Sequence, residues 1–158
     1  GFIHRQIPSI AVDTHRAGTY YATASTDSQF GGFFISKDHG KHWVKHNDGL
    51  GKAASEIKRI LPSNLNSSIF LATTQGLYAG TFRDRPWSLL QGTNQLNTLD
   101  IAFGNTKETI LLLATLKGLF QFDLENQALT KIPLPEYQNK INAVLYDPIS
   151  QKILVGFT

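Results

Sequence analysis

Short apolar segments alternate with polar turns along the whole of this 158-residue chain. Each unit of the pattern has four such segments, and a glycine opens the third of them. The segments are rich in Leu, Ile, Val, Phe, Tyr and Thr, which favour pleated strands over helices. No stretch of about twelve residues or more follows the 3.6-residue period of a helix. The pattern therefore predicts an all-β fold with almost no helix.

The unit recurs at a constant spacing of 42 residues. Leu71-Ala72-Thr73 recurs as Leu113-Ala114-Thr115, and Gly76-Leu77-Tyr78 recurs as Gly118-Leu119-Phe120. Several independent positions share this one spacing, which indicates an internal structural repeat.

The first copy of the unit is longer than the others. Ala22-Thr23 precedes Ala72-Thr73 by 50 residues, whereas Trp43 precedes Trp87 by 44. The difference predicts a six-residue insertion at 25–30, whose polar composition places it on a loop.

Four short strands in every repeat of about 42 residues are typical of a β-propeller blade. A single four-stranded sheet has an apolar face that it cannot bury alone, and stacking sheet on sheet buries it. A solenoid of single-strand coils would repeat at a shorter period, and a two-sheet sandwich would not repeat at constant spacing. We therefore expect one partial propeller domain over 1–158, with blades of four antiparallel strands at approximately 7–50, 51–95, 96–138 and 139–158, the last of them incomplete.

About three and a half blades are too few for the usual closed ring of roughly four to eight. Residues 1–6 are a candidate last strand, either of a preceding blade or of the incomplete fourth blade. The chain has no methionine, even at position 1, which favours a processed product or an excised piece. We expect a segment of a larger propeller. The alternative is that another chain supplies the missing half.

The segment from Ser36 to Trp43 fits the pattern S-x-D-x-G-x-x-W, with all four defining positions filled. It resembles the Asp-box, or BNR repeat, of a β-propeller superfamily related to WD40 and YVTN propellers. That superfamily includes sialidase-like, sortilin-like, xyloglucanase-like and photosystem assembly-factor-like members. The resemblance covers the whole chain at the level of the repeat pattern.

The resemblance implies a structural turn and not a catalytic one. Asp38 is expected to accept backbone N–H groups, Ser36 to join the same network, and Gly40 to supply an unusual backbone angle. The ring of Trp43 is expected to pack between sheets.

Later copies of the motif have decayed. Trp87 keeps the aromatic position, Phe82 stands where Asp38 does, and Leu129 replaces the tryptophan in the third copy.

Composition excludes several classes of function. The formal net charge is +3, and the 15 basic residues form no run that would neutralise a row of phosphates, so no nucleic-acid partner is expected. No stretch approaches the roughly 18 apolar residues of a membrane helix. The chain has no cysteine, which excludes disulfides and thiolate metal sites. No cofactor is predicted.

Three histidines lie within eight residues of one another, at His39, His42 and His46. A zinc site normally needs three or four convergent ligands, so these are weak candidates and no metal site is predicted.

Glycoside hydrolysis needs two carboxyl groups across a cleft. The candidate carboxyls are Asp13, Asp27, Asp100, Glu108, Asp123 and Asp147. Asp27 is the most interesting of them because it lies in the insertion, on a loop that could line a binding face. Asp13, Ser63, Asn105 and Asp147 share one repeat position, which indicates turn chemistry instead. No arginine spacing marks a sialidase-like triad, so no catalytic residue is assigned.

The pattern favours a non-enzymatic binding or assembly scaffold whose loops contact a protein, a glycan or the remaining blades. A glycoside hydrolase of sialidase-like or xyloglucanase-like type, of which this chain is a segment, is the alternative. The resemblance suggests an extracellular or periplasmic location. The predicted contact residues are Asp27, Phe30, Arg83 and Arg85.

Overall fold

The computed structural model describes residues 6–25, 30–81, 86–135 and 140–157. In these residues the chain is built from β-strands, with one short 3₁₀ helix at Gly51–Glu56. The predicted all-β fold is therefore confirmed. Asp27, Arg83 and Arg85 lie outside the described residues.

The strands form three sheets of four strands and one of two, each an antiparallel meander in chain order. The first sheet holds β1 (Ile10–Val12), β2 (Tyr20–Ala24), β3 (Gly32–Ser36) and β4 (Val44–Lys45). The second holds β5 (Ile57–Pro62), β6 (Ser68–Thr73), β7 (Gly76–Thr81) and β8 (Ser88–Leu89). The third holds β9 (Thr98–Phe103), β10 (Ile110–Thr115), β11 (Gly118–Asp123) and β12 (Ala128–Ile132). The fourth holds β13 (Ile141–Asp147) and β14 (Lys152–Phe157).

Neighbouring sheets bury three apolar clusters between them. The first cluster joins Phe33 and Ile35 of the first sheet to Ile60 and Leu71 of the second. Two further clusters lie between the second and third sheets and between the third and fourth. Both faces of an inner sheet are therefore buried, which explains the long apolar runs in β6 and β10.

A glycine opens the third strand of each complete sheet for a backbone reason. The φ angles of Gly32, Gly76 and Gly118 are 135°, 136° and 115°, a region that side chains disfavour. A Cβ atom on Gly32 would also lie 2.1 Å from the side-chain oxygen of Asn47. The glycine spacing seen in the sequence is thus a steric requirement of each repeat.

The strand pairing aligns β2 of the first repeat with β6 of the second one residue away from the alignment that the matching letters suggest. Thr23 pairs with Phe33 one residue after Gly32, and in the second sheet it is Ala72 that pairs with Leu77 after Gly76. Thr23 is therefore equivalent to Ala72, 49 residues away. The predicted six-residue insertion was wrong by one, and the extra length between β2 and β3 is five residues. A one-residue slip matters because it moves every side chain to the opposite face.

The predicted assignment of residues 1–6 to the last strand of a blade is wrong for Gln6. Gln6 makes an antiparallel bridge to Ser25, which extends the pairing of β1 with β2. Gln6 therefore belongs to the first sheet and does not complete the fourth.

Trp87 is the largest side chain that joins the first two sheets. It is 6% exposed, and its ring meets that of Phe33 edge-on at 4.9 Å. Its indole N–H donates to the carbonyl of His46 at 2.8 Å, and its backbone N–H donates to Asp48 at 2.8 Å. Gly80 leaves space for the indole ring, since a Cβ atom at this position would lie 2.6 Å from it.

Trp43 occupies the corresponding position in the first sheet, directly before β4. Its ring was expected to pack between two sheets, but it is only partly buried and lines an open groove with Ile10, Val12 and Tyr20. This groove lies on the face turned away from the second sheet. Among the described residues, the prediction of a ring between two sheets is confirmed for Trp87, and for Trp43 it stays a prediction.

Substitution of Trp87 by alanine is expected to lower the free energy of unfolding by about 3–5 kcal/mol, because it opens a cavity between two sheets and leaves the His46 carbonyl without its donor. Urea denaturation of the purified chain measures this. Trp43→Ala is the matched control, and its loss is expected to be less than half as large. Equal losses would contradict the view that Trp87 alone is held between sheets.

Candidate functional site

The turn between β3 and β4 is organised by a buried serine. Ser36 is fully buried at the end of β3. Its hydroxyl donates to Asp38 Oδ1 at 2.9 Å and accepts the N–H groups of Gly40 at 2.8 Å and Asp38 at 3.4 Å. One hydroxyl therefore ties three points of the turn together.

Asp38 closes the other side of the turn. Its Oδ1 accepts the backbone N–H of His42 at 2.9 Å, and its Oδ2 lies 2.5 Å from the His42 ring nitrogen Nδ1. The backbone bond from His42, followed by the ring bond, lowers the pKa of Asp38 well below its usual range. His39 and Gly40 have φ angles of 61° and 84°, so the chain reverses through two left-handed residues.

Trp43 ends the turn by folding back on it. The indole N–H donates to the carbonyl of Gly40 at 3.0 Å. The groove that its ring lines has a volume of about 350 Å³ and an almost wholly apolar surface. Thus Ser36, Asp38, Gly40 and Trp43, which the sequence motif selected, form one hydrogen-bonded unit.

The three clustered histidines make different contacts. The His39 ring packs edge-on to Tyr20, with centroids 6.4 Å apart, whereas His42 is held by Asp38. His46 lines an open groove with His42, and its carbonyl accepts the Trp87 indole. Within residues 6–25, 30–81, 86–135 and 140–157, no three His, Asp or Glu side chains come together as a metal site would require.

The four positions assigned to turn chemistry do cap their own turns. Asp13 Oδ1 accepts the N–H groups of His15 and Arg16, at 2.8 and 3.0 Å. Ser63, Asn105 and Asp147 accept backbone N–H groups two to four residues further on. This interpretation of the repeated Asp, Ser, Asn and Asp is therefore confirmed.

Bonds between turns of neighbouring sheets were not foreseen from the sequence. Arg16 of the first sheet donates to Ser67 of the second at 3.3 Å. Glu108 of the third sheet accepts the Ser63 hydroxyl at 2.5 Å and the Asn64 N–H at 3.0 Å in the second. The only signal in the sequence is that these polar residues all lie in the turn between the first and second strands of their repeats.

The strands that begin each sheet are joined in a similar way. Asp100 in β9 accepts the N–H of Val144 in β13 at 3.0 Å, and its other oxygen lies 3.4 Å from Arg59 of β5. The hydroxyl of Ser9 accepts the N–H of Ile60 in β5 at 3.1 Å. A carboxylate and a hydroxyl thus satisfy backbone donors of the next sheet.

Of the four residues predicted to contact a partner, Phe30 lies within the described residues. Phe30 is 47% exposed just before β3. Asp27, Arg83 and Arg85 cannot be placed because they fall outside the described residues.

Asp27 belongs to the segment 26–29, and Arg83 and Arg85 belong to the segment 82–85. The described residues that flank these two segments lie at opposite ends of the sheets. Connections in a meander alternate between the two ends. The Arg16–Ser67 bond shows that the first turns of two sheets share one end. Thr81, which precedes the second segment, lies at that end, whereas Phe30 lies at the other. Thr81 and Phe30 therefore lie on different surfaces of the stacked sheets.

No family profile and no curated protein matches the chain. Solved structures do. The extracellular domain of a protein described as a one-component system of B. thetaiotaomicron aligns with a TM-score of 0.74 and 18% identity, over 97% of this chain and 19% of that one. An ancestral GH74 enzyme aligns with a TM-score of 0.66 and 15% identity, over 90% of this chain and 20% of that one.

A structure of a nidogen/laminin complex aligns with a TM-score of 0.72 and 12% identity, over 97% of this chain and 57% of that one. The chain therefore spans about a fifth of the length of the first two proteins. At such identities the likeness concerns the fold. The fold is that of β-propeller blades. In the part of the propeller chain that the structure describes, no helix is long and apolar enough to cross a membrane.

Ser36→Ala is expected to lower the free energy of unfolding by about 1–3 kcal/mol, because it removes a buried hydroxyl with three partners in the turn. Thermal or urea unfolding measures the loss. Ser88→Ala, at an exposed position in β8, is the control and is expected to change stability by less than about 0.5 kcal/mol. A neutral Ser36→Ala would show that the hydroxyl network does not stabilise the turn.

Asp13 makes part of the stability dependent on pH. Burial raises its pKa, but hydrogen bonds from Tyr21 and His15 and the Arg16 charge outweigh burial and hold the pKa below the ordinary value of 3.8. The stabilisation is therefore present above about pH 4 and is lost as the pH falls through the pKa of the folded state.

Asp13→Asn is accordingly expected to cost about 1–3 kcal/mol at pH 7, and the difference from the native chain is expected to shrink below about pH 4. Urea titrations at pH 7, 5 and 3 test this. A difference that stays constant over this range would exclude an ionised Asp13 as its source.

Proposed function

We propose that this chain is a non-enzymatic binding scaffold, in which propeller blades hold loops in fixed positions for contact with a protein or a glycan. The observation that carries the proposal is the use of the acidic side chains. Six described carboxylates each accept at least one backbone N–H group, so they serve as structural acceptors. They are Asp13, Asp38, Asp100, Glu108, Asp123 and Asp147.

This use of carboxylates is poorly suited to glycoside hydrolysis. Such enzymes need one carboxyl with a raised pKa as the proton donor. Hydrogen bonds to an ionised carboxylate have the opposite effect. The pKa values of Asp38, Asp123 and Asp147 are lowered chiefly by donors in their own turns. Burial raises the pKa of Asp13, but it is lowered overall, chiefly by the Tyr21 hydroxyl of β2, which outweighs burial together with donors in its own turn.

The turn from Ser36 to Trp43 is, in this proposal, an Asp-box with a purely structural role. Its support is the bonding of Ser36 and Asp38 to backbone N–H groups and the left-handed Gly40. The turn stiffens the end of the first sheet and so fixes the position of the strands beside it.

Binding would then fall to the exposed loops and turn tips. Phe30 is exposed at one end of the sheets. At the other end, Leu65 and Ile149 project from the first turns of the second and fourth sheets, with exposures of 60% and 94%. Apolar tips on rigid turns are suited to contact with a partner. We propose an extracellular or periplasmic location, supported by the likeness to an extracellular domain.

A glycoside hydrolase is the second candidate, favoured by the likeness to an ancestral GH74 enzyme. The two candidates are separated by a turnover assay on xyloglucan and on a sialoside. The scaffold proposal expects no release of sugar above the blank. Turnover that Asp27→Asn abolishes would overturn the scaffold and support the enzyme.

Binding itself is tested on an array of glycans and immobilised peptides. Phe30→Ala is expected to reduce retention on the bound probe by about tenfold while the melting temperature stays unchanged, since Phe30 is exposed. Leu89→Ala is the control, because Leu89 is comparably exposed in β8. Equal retention of all three proteins would contradict a contact at Phe30.

A further inference from the structure

An open groove lies where the first turns of three consecutive repeats meet. It is lined by Asn64 of the second sheet, by Phe103, Thr106 and Glu108 of the third, and by Tyr146 of the fourth. Since the sheets stack in chain order, this three-turn groove spans the end of the third sheet. Its volume of about 350 Å³ is at the lower end of the range of roughly 300–1,000 Å³ that small-molecule sites occupy.

The walls of the three-turn groove are held in fixed positions by bonds between repeats. Glu108 accepts the Ser63 hydroxyl at 2.5 Å, the Asn64 backbone N–H at 3.0 Å and the Asn64 side-chain amide at 3.2 Å. Asp100 of the third sheet accepts the N–H of Val144 in the fourth at 3.0 Å. Groups that are fixed before binding lose little conformational entropy when a ligand arrives.

Several polar side-chain groups of the groove are not used by the fold. One N–H of the Asn64 amide bonds to Glu108, which leaves the amide oxygen and the second N–H. The hydroxyls of Thr106 and Tyr146 make no hydrogen bond within the part of the chain that the structure describes. The groove therefore offers a ligand several side-chain donors and acceptors.

Backbone donors in the same turns are occupied. The Ser63 hydroxyl accepts the N–H groups of Leu65 and Asn66, each at 3.0 Å, and the side-chain oxygen of Asn105 accepts the N–H of Thr109 at 3.0 Å. An extended peptide that adds to a sheet needs a row of unpaired backbone groups. These turns do not supply such a row, which favours a ligand that bonds to side chains.

Charge and apolar surface narrow the class of ligand further. Among the described residues that line the groove, Glu108 is a carboxylate and none is cationic, so a phosphate, sulfate or carboxylate ligand would have no charged partner. Phe103 and Tyr146 are half-buried and offer rigid aromatic surface beside the polar groups. A neutral sugar matches this combination, because a pyranose ring presents C–H groups on its faces and hydroxyls around its edge.

We propose that the three-turn groove binds a neutral saccharide, with the sugar ring against Phe103 and Tyr146. Its hydroxyls bond to the Asn64 amide and to the hydroxyls of Thr106 and Tyr146. This inference rests on the proposed scaffold function, because it names one class of ligand and a site for it. The site lies at the end of the sheets opposite to Phe30.

The test presents the full 158-residue chain to an array of neutral oligosaccharides built from glucose, mannose, galactose, xylose and N-acetylglucosamine. Sialylated and sulfated glycans and immobilised peptides are the comparison. The expected result is retention on a neutral oligosaccharide and none on the charged glycans. With that oligosaccharide bound, new hydrogen-exchange protection is expected at residues 63–66 and 104–108.

Two variants remove single polar groups from the groove. Tyr146→Phe keeps the ring, and Asn64→Ala changes an exposed side chain, so the melting temperatures are expected to stay unchanged. Each variant is expected to weaken binding by about three- to tenfold, as the loss of one hydrogen bond does. Tyr78→Phe and Asn94→Ala make the same changes outside the groove and are the controls, with an expected effect of less than about twofold.

The outcomes separate the groove from the scaffold. Glycan binding that Tyr146→Phe and Asn64→Ala leave unchanged would overturn the groove proposal but not the scaffold. Retention on charged glycans or peptides alone, or on no glycan at all, would exclude a neutral saccharide. Release of sugar from the bound oligosaccharide would instead overturn the scaffold itself.

Discussion

Burial of apolar surface between neighbouring sheets is the constraint on which the rest of this structure depends. A single four-stranded meander of this length has little stability of its own. Trp87 shows how the sheets are joined, because its ring lies against Phe33 while its indole and backbone N–H groups both bond to the first repeat. Since inner sheets are covered on both faces, strand register is restricted, and Gly32, Gly76 and Gly118 keep each third strand in place.

Several polar groups in the described residues join neighbouring sheets. Asp100 and Ser9 satisfy N–H groups of the next sheet, and Glu108 and Arg16 join turns of neighbouring sheets. Asp13, which accepts hydrogen bonds from its own turn and from Tyr21, is held ionised and in place. Such a group stabilises the frame and is poorly placed to exchange a proton with a substrate. The proposed function follows from this division, in which the frame uses the charged groups and the loop tips remain for binding.

The sequence predicted what depends on neighbouring residues in the chain. The repeat, the glycine before each third strand and the turn caps at Asp13 and Asp147 are local, and a period or a short motif reveals them. The one-residue shift of the first repeat could not be predicted, because Ala22-Thr23 matches Ala72-Thr73 in letters and the cross-strand pairing decides otherwise. Glu108 and Ser63 are 45 residues apart, and only the stacking of sheets brings them together.

Comparison of the repeats shows which part of the motif the fold requires. Ser36 and Trp43 of the first repeat correspond to Gly80 and Trp87 in the second, where the hydroxyl is gone and the indole occupies the space above the glycine. In the third repeat the large residue has moved to the opposite strand, since Phe122 pairs with the smaller Leu129. A large side chain thus lies between sheets in both the second and the third repeat, while the residues that bond the turn change from Ser36 and Asp38 in the first repeat to Asp123 in the third. Packing between sheets is therefore a constraint that these repeats share, and the polar network of the turn varies.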